Sequence, residues 1–256
     1  MPRRKQDSNP EQKDLLNVAV QLRTAPCVPA LRAAVQQRRV QNYKGATETT
    51  RLLLQHWFER DHRGFDGRPF AYYAFQREAI ETLIYVWEVA RVRSRKALLE
   101  KYTQSLEGVR LPPNDEFSRF AIKMATGSGK TKVMSLAIVW QFMNAAREAE
   151  EIAKDYARTF LVIAPNVIVY ERLKTDFAGG RIFEVDPLIP LSMKIFWDFD
   201  CVLRGAGERA HSEGMLFLTN IQQFYERPSR SNDDEPEEIT DMLGHKPPTQ
   251  KLEVTE

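Results

Sequence analysis

The stretch Met124-Ala-Thr-Gly-Ser-Gly-Lys-Thr131 constrains this chain more than any other. It stands between a short apolar run, "FAIKM" at 120–124, and a long helical pattern that begins at Lys130. Two glycines one residue apart let a backbone curl until successive N–H groups face a single point, which asks for conformations that only glycine adopts freely. A helix starting immediately afterwards adds its unpaired amides and the positive end of its dipole. The order strand, glycine turn, helix predicts a cradle for a polyphosphate. In such a cradle Thr126, Gly127, Ser128, Gly129, Lys130 and Thr131 line the anion. The Lys130 ammonium reaches the outer phosphates and the Thr131 hydroxyl ligates Mg2+, which makes these two the candidate catalytic residues. The strict G-x-x-x-x-G-K-[ST] pattern fails only at its first position, where Met124 replaces glycine.

The surrounding pattern predicts helices first and a sheet later. Helices are expected from Val28 over "VPALRAAVQQRRV", with Pro29 in the first turn, and over Thr47 to Phe58, with Thr47 as N-cap. The segment "ERDHRGFDGRP" reads as loop. In "FAYYAFQREAIETLIYVWEVARV" the residues Phe75, Ala79, Leu83, Val86 and Ala90 recur at helical spacing and predict the buried face of an amphipathic helix. Residues 101–116 read as loop. Strands are then expected at 120–124, 159–165, 193–199 and 215–220, alternating with helices from Lys130 to about Ile152 and over 166–177. Strand-helix alternation implies an α/β fold with a parallel sheet, and the apolar 159–165 strand reads as buried. The expected organisation is a helical N-terminal segment over 1–60 with a disordered basic start, an α/β lobe over 61–227, and an acidic linker or insertion over 228–256.

Charge adds one asymmetry to a net of only +2. Residues 1–60 hold eleven Lys and Arg against five Asp and Glu, whereas residues 181–256 hold eight against fifteen. A basic beginning can attract phosphate backbones, and it is equally compatible with a solvated arm. No apolar run has the length of a membrane helix, and the N-terminus lacks the apolar core of a secretory signal, so a cytoplasmic protein is expected. Cys27 and Cys201 have no Cys or His neighbours at metal-ligand spacing.

"MATGSGKT" resembles motif I of superfamily-two helicases and translocases, in which Ala or Met commonly replaces the first glycine. Upstream, "FAYYAFQREAIETLIYVWE" resembles a segment of type III restriction-enzyme motor subunits and their DEAD/DEAH-box relatives. The resemblance implies that Gln76, 54 residues before Lys130, reads the adenine edge, since an amide both donates and accepts. "LVIAPNVIVYERLKTDF" resembles motif Ia and implies nucleic-acid contacts from Pro165, Asn166 and Arg172. "MLFLTNIQQFYER" resembles the family's L-T-N motif and implies further contacts from Thr219 and Asn220. The likeness runs from about Thr50 to about Arg227, with the motifs in the family's order. It implies a RecA-like first motor lobe that uses ATP and Mg2+, acts on DNA and works beside a modification methyltransferase subunit.

One part is missing. Hydrolysis needs a carboxylate to hold the metal and another to orient water. The family carries them as Asp-Glu at the end of an apolar strand. Here "DDEPEE" at 233–238 follows no core strand, and Asp198 in "IFWDFD" precedes the L-T-N motif instead of following it. The expectation is the first part of a longer motor, cut before its acidic strand and poor at hydrolysis. Two other readings stay open: a nucleotide- and DNA-binding scaffold that splits nothing, and a small-molecule kinase on the same loop, which would leave Gln76 without a role.

Overall fold

The computed structural model describes residues 25–64, 66–104, 117–203 and 212–224. The expected basic arm and the acidic segment over 228–256 lie outside these residues. By its packing the chain forms two units, Met1–Ala157 with Val185–Phe196, and Arg158–Glu184 with Trp197–Glu256.

The first unit is helical. Helix α1 spans Val28–Val40, with Pro29 in its first turn, where a missing N–H costs nothing. Helix α2 spans Glu48–Glu59 and is capped as expected, the Thr47 hydroxyl accepting from the Thr50 amide at 3.0 Å. A two-residue hairpin, β1 (His62–Arg63) with β2 (Pro69–Phe70), closes the loop before helix α3, Ala74–Ile84. Helix α3 runs on into a π turn over Tyr85–Val89. Helix α4 spans Arg95–Tyr102. Helix α5, Lys130–Arg147, is followed by the short α6, Glu150–Ala153. Leu136, Val139, Phe142 and Met143 of α5 are fully buried, as are Leu53, Leu54 and Ile80 of α2 and α3. Each contributes about 1.5–3 kcal/mol relative to exposure.

Of the stripe expected along α3 and the turn after it, Val86 is buried, but within α3 a different set faces inward. Gln76, Ile80, Glu81 and Ile84 are buried, while Phe75 is exposed. The reason is a buried acid. Glu81 accepts from Arg77 at 2.7 Å and from Tyr43 at 2.6 Å, and pairs with Arg39. Counting apolar residues alone passes over a carboxylate two of whose three partners lie on α1 and the turn after it.

Glu88, in the π turn, is the second polar hub. Its Oε1 accepts from Thr50 Oγ1, from Trp140 Nε1 at 3.1 Å and from Tyr156 Oη at 2.6 Å. Burial and Glu88 together hold the Tyr156 phenol far above its ordinary range.

Two expected strands are absent from their places. Residues 120–124 carry no strand, and Ile122 is exposed. Five residues hold an extended conformation only by pairing with a neighbour, and this segment pairs with none among the described residues. Over 193–199 the chain forms a 3-10 turn, Leu191–Phe196, and the strand begins only at Phe199. Leu188, just before this turn, and Met193 within it are buried in the first unit, and Trp57 Nε1 donates to the Leu188 carbonyl at 2.7 Å.

The second unit holds the sheet. Strands β3 (Thr159–Ala164), β4 (Phe199–Leu203) and β5 (Gly214–Asn220) pair in the order β3-β5-β4, all parallel. This is the α/β class with a parallel sheet that the sequence predicted. Helix α7, Val167–Phe177, follows β3 with Asn166 as its cap, and α8 spans Arg181–Val185. Strand β3 is not buried as expected, for Leu161 and Ile163 on one of its faces are exposed. Among the described residues no helix is long and apolar enough to cross a membrane.

Candidate functional site

In the first unit the loop before α5 has the geometry its glycines predict. Gly127 and Gly129 take φ values of +77° and +76°, left-handed conformations that a side chain resists. The Ala125 carbonyl gathers the loop. It accepts from Ser128 Oγ at 2.7 Å and from Lys130 Nζ at 2.7 Å. Helix α5 then starts at Lys130 with no side chain capping it and no carboxylate in its first turn. An uncapped helix start of this kind offers amides and dipole to an anion. Thr131 is the second residue of α5, and its carbonyl accepts from Ser135 Oγ at 2.9 Å. Thr126 stands exposed at the tip of the turn.

Gln76 sits against this loop, although 52 residues separate it from Ser128. Its Nε2 donates to the Ser128 carbonyl at 2.9 Å, and its Oε1 accepts from the Tyr73 amide at 3.0 Å. The second bond closes the N-terminus of α3. The residue is 2% exposed. A methyl group placed on Gly129 would collide with the Gln76 amide nitrogen. Glycine is therefore required at 129 both by backbone conformation and by this close approach, and at 127 by conformation alone, since a methyl there would meet nothing within 4 Å.

One carboxylate near α5 escaped the sequence reading. Asp186, nearly buried, pairs with Lys132 at 2.5 Å, and Lys132 Nζ also lies 5.1 Å above the Phe70 ring. Burial, and then the Asp186 charge, hold the Tyr72 phenol well above its ordinary range. No pattern links positions 132 and 186, so nothing local announces the pair.

In the second unit the register brings two other motifs to one edge. Ile163 is opposite Thr219 and Ala164 opposite Asn220. The turn Pro165-Asn166 and the pair Thr219-Asn220 therefore leave the sheet together at its C-terminal edge, where parallel α/β sheets place their ligands. Asn166 Oδ1 accepts from the Val169 amide at 2.9 Å, which pins the start of α7. Asn220 is buried, and its Oδ1 has no partner among the described residues. Arg172 is exposed, six residues and so about 9 Å of helix rise from Asn166.

Asp198 lies at the opposite end. It precedes β4 and accepts from the Glu213 amide at 3.0 Å, away from the C-terminal edge. Residues 233–238 lie outside the described residues. Among the described residues no group of three or more His, Cys, Asp or Glu is placed to hold a metal ion.

Comparison with known proteins gives one match. The family described as "Type III restriction enzyme, res subunit" matches residues 70–243. No curated protein and no solved structure matches the chain.

Proposed function

The chain belongs to the type III restriction enzyme res subunit family, and from that premise we propose that it is the ATP-binding lobe of a DNA helicase or translocase of a restriction or related anti-phage system. The observation that carries this reading is the left-handed Gly127–Gly129 turn at the uncapped start of α5, clasped by Gln76. The residues present fit a nucleoside triphosphate. The amides from Thr126 to Thr131 would hold the phosphates, and Lys130 would exchange the Ala125 carbonyl for phosphate oxygens. The Thr131 hydroxyl would hold Mg2+, which would neutralise charge on the outer phosphates.

The second unit is the nucleic-acid side of the proposal. Pro165, Asn166, Thr219 and Asn220 form an edge next to the N-terminus of α7, which suits a phosphodiester backbone, and Arg172 adds charge about 1.7 turns along. A modification methyltransferase subunit is the expected protein partner.

Hydrolysis is proposed to be slow in this chain. Among the described residues no apolar strand ends in Asp-Glu, and Asp198 stands at the wrong end of its strand. Asp186 is already neutralised by Lys132. The test is a titration with Mg-ATP, with and without single-stranded DNA, on the wild type and on Lys130→Ala. Expected are binding that Lys130→Ala weakens at least about tenfold, a DNA-dependent shift in affinity, and little turnover. Rapid DNA-stimulated hydrolysis abolished by Lys130→Ala would show that the acid is present after all. Affinity indifferent to DNA would favour a passive nucleotide-binding scaffold.

A further inference from the structure

We propose that a cavity in the first unit, where the π turn that carries Glu88 meets α6 and the turn before α2, binds a small zwitterion of the amino-acid class. Its ammonium pairs with Glu88, and its carboxylate takes Trp87 Nε1 and Arg91. The residues involved have no part in the nucleotide site, so this inference stands apart from the reading above.

The buried acids lead to it. Among the described residues three carboxylates are buried, Glu81, Glu88 and Asp186. Glu81 pairs with Arg39 and Arg77, and Asp186 pairs with Lys132. A buried carboxylate needs such a partner, because its lost hydration is otherwise uncompensated. The donors to Glu88 are all neutral. Thr47, Thr50, Trp140 and Tyr156 all donate to Oε1, while Oε2 has no partner among the described residues.

Glu88 also lines a cavity of about 220 Å3. That is smaller than the ~300–1,000 Å3 of pockets for drug-sized ligands, and it suits a molecule of amino-acid size. Trp87 lines the same cavity, and its Nε1 is buried with no acceptor among the described residues. An acceptor and a donor left open on adjacent residues call for a ligand that supplies the complement of each.

The remaining charges of the lining narrow the choice. Arg93 is engaged already, donating to the Trp87 carbonyl at 2.6 Å and lying 3.7 Å from the Trp87 ring centroid. Arg91 holds Asp155 loosely, at 3.6 Å, and its side chain is 73% exposed, which leaves donors for an anion. Its backbone is left-handed, with φ +50°, a conformation that a residue with a side chain takes only at a cost. Glu88 and Asp155 balance Arg91 and Arg93, so the lining is neutral in sum. Such a lining disfavours a bare amine and a bare acid, and it matches a ligand with one charge of each sign. Ala46 and Ile152 supply apolar wall for its side chain.

The experiment screens the full chain against the twenty protein amino acids by thermal shift. The best of them is then titrated calorimetrically beside its amide, which lacks the negative charge, and its N-acetyl form, which lacks the positive one. At least one amino acid should bind at a single site with a Kd of about 1 mM or tighter, and both derivatives at least about tenfold more weakly. Glu88→Gln keeps the Oε1 acceptor and removes the charge. It should weaken the amino acid at least about tenfold and leave the N-acetyl form unchanged. Arg91→Gln, at the exposed rim, should weaken the amino acid and leave the amide unchanged, and it decides the matter if Glu88→Gln does not fold. Lys130→Ala should have no effect. Saturable binding of none of the twenty would overturn the inference. So would an amide that binds as tightly as its parent, or binding indifferent to both Glu88→Gln and Arg91→Gln.

Discussion

Placing a methyl group on Gly129 tests the central geometry most sharply, because the neighbouring Gly127 is a built-in control. Both glycines have φ near +76°, so alanine at either position costs about 1 kcal/mol in backbone conformation. At 127 the methyl meets nothing within 4 Å, and the cost stops there. At 129 it meets the Gln76 amide, which must withdraw from the Ser128 carbonyl and the Tyr73 amide. Two lost hydrogen bonds add about 1 kcal/mol each. If the loop must keep this shape to bind, Mg-ATP affinity should fall about fivefold in Gly127→Ala and roughly a hundredfold in Gly129→Ala. Titration calorimetry reads the affinities, and thermal unfolding without nucleotide reads the strain. In a Gln76→Ala background the collision disappears, so Gly129→Ala should then cost only about as much as Gly127→Ala, a coupling of about 2 kcal/mol. Equal losses for the two glycine variants, or a Gly129→Ala loss that persists without the Gln76 amide, would refute the reasoning.

Further expectations concern the first unit's polar interior. Glu88→Ala removes the acceptor shared by Thr50 Oγ1, Trp140 Nε1 and Tyr156 Oη but leaves Trp140 and Asn144 bonded to Thr50, so urea unfolding should report a loss of about 1–3 kcal/mol, and a loss under about 0.5 kcal/mol would contradict the hub. The His56 imidazole is pushed down to about 4, first by burial and then by His62 and Arg60, against a smaller opposing pull from the Pro187 backbone. Between pH 4 and 6.5 the unfolded chain therefore binds more protons than the folded one, so stability should rise with pH through that window and be lost as pH falls. His56→Gln should flatten that part of the urea-midpoint profile, and an unchanged slope would exclude His56 as its source.

What the sequence determined by itself is what short segments settle locally. The glycine turn and the start of α5 follow from the spacing of Gly127, Gly129 and Lys130, and the caps at Thr47 and Asn166 from one side chain and an amide three residues on. Strands β3 and β5 follow from apolar β-formers bounded by turn residues. The tertiary structure decided everything that depends on partners remote in sequence. Gln76 was singled out from the sequence, but only the fold turns both ends of its amide to backbone. Glu81 rotates the buried face of α3 because Arg39 and Tyr43 come from another helix and its exit turn. Residues 120–124 have the letters of a strand and, among the described residues, no neighbour to make them one. The Asp186–Lys132 pair joins segments with no common pattern. Local periodicity records the conformation a segment prefers. Which carboxylate meets which cation, and which amide meets which carbonyl, is fixed only when the chain folds and a buried polar group must find a partner or bear its desolvation cost.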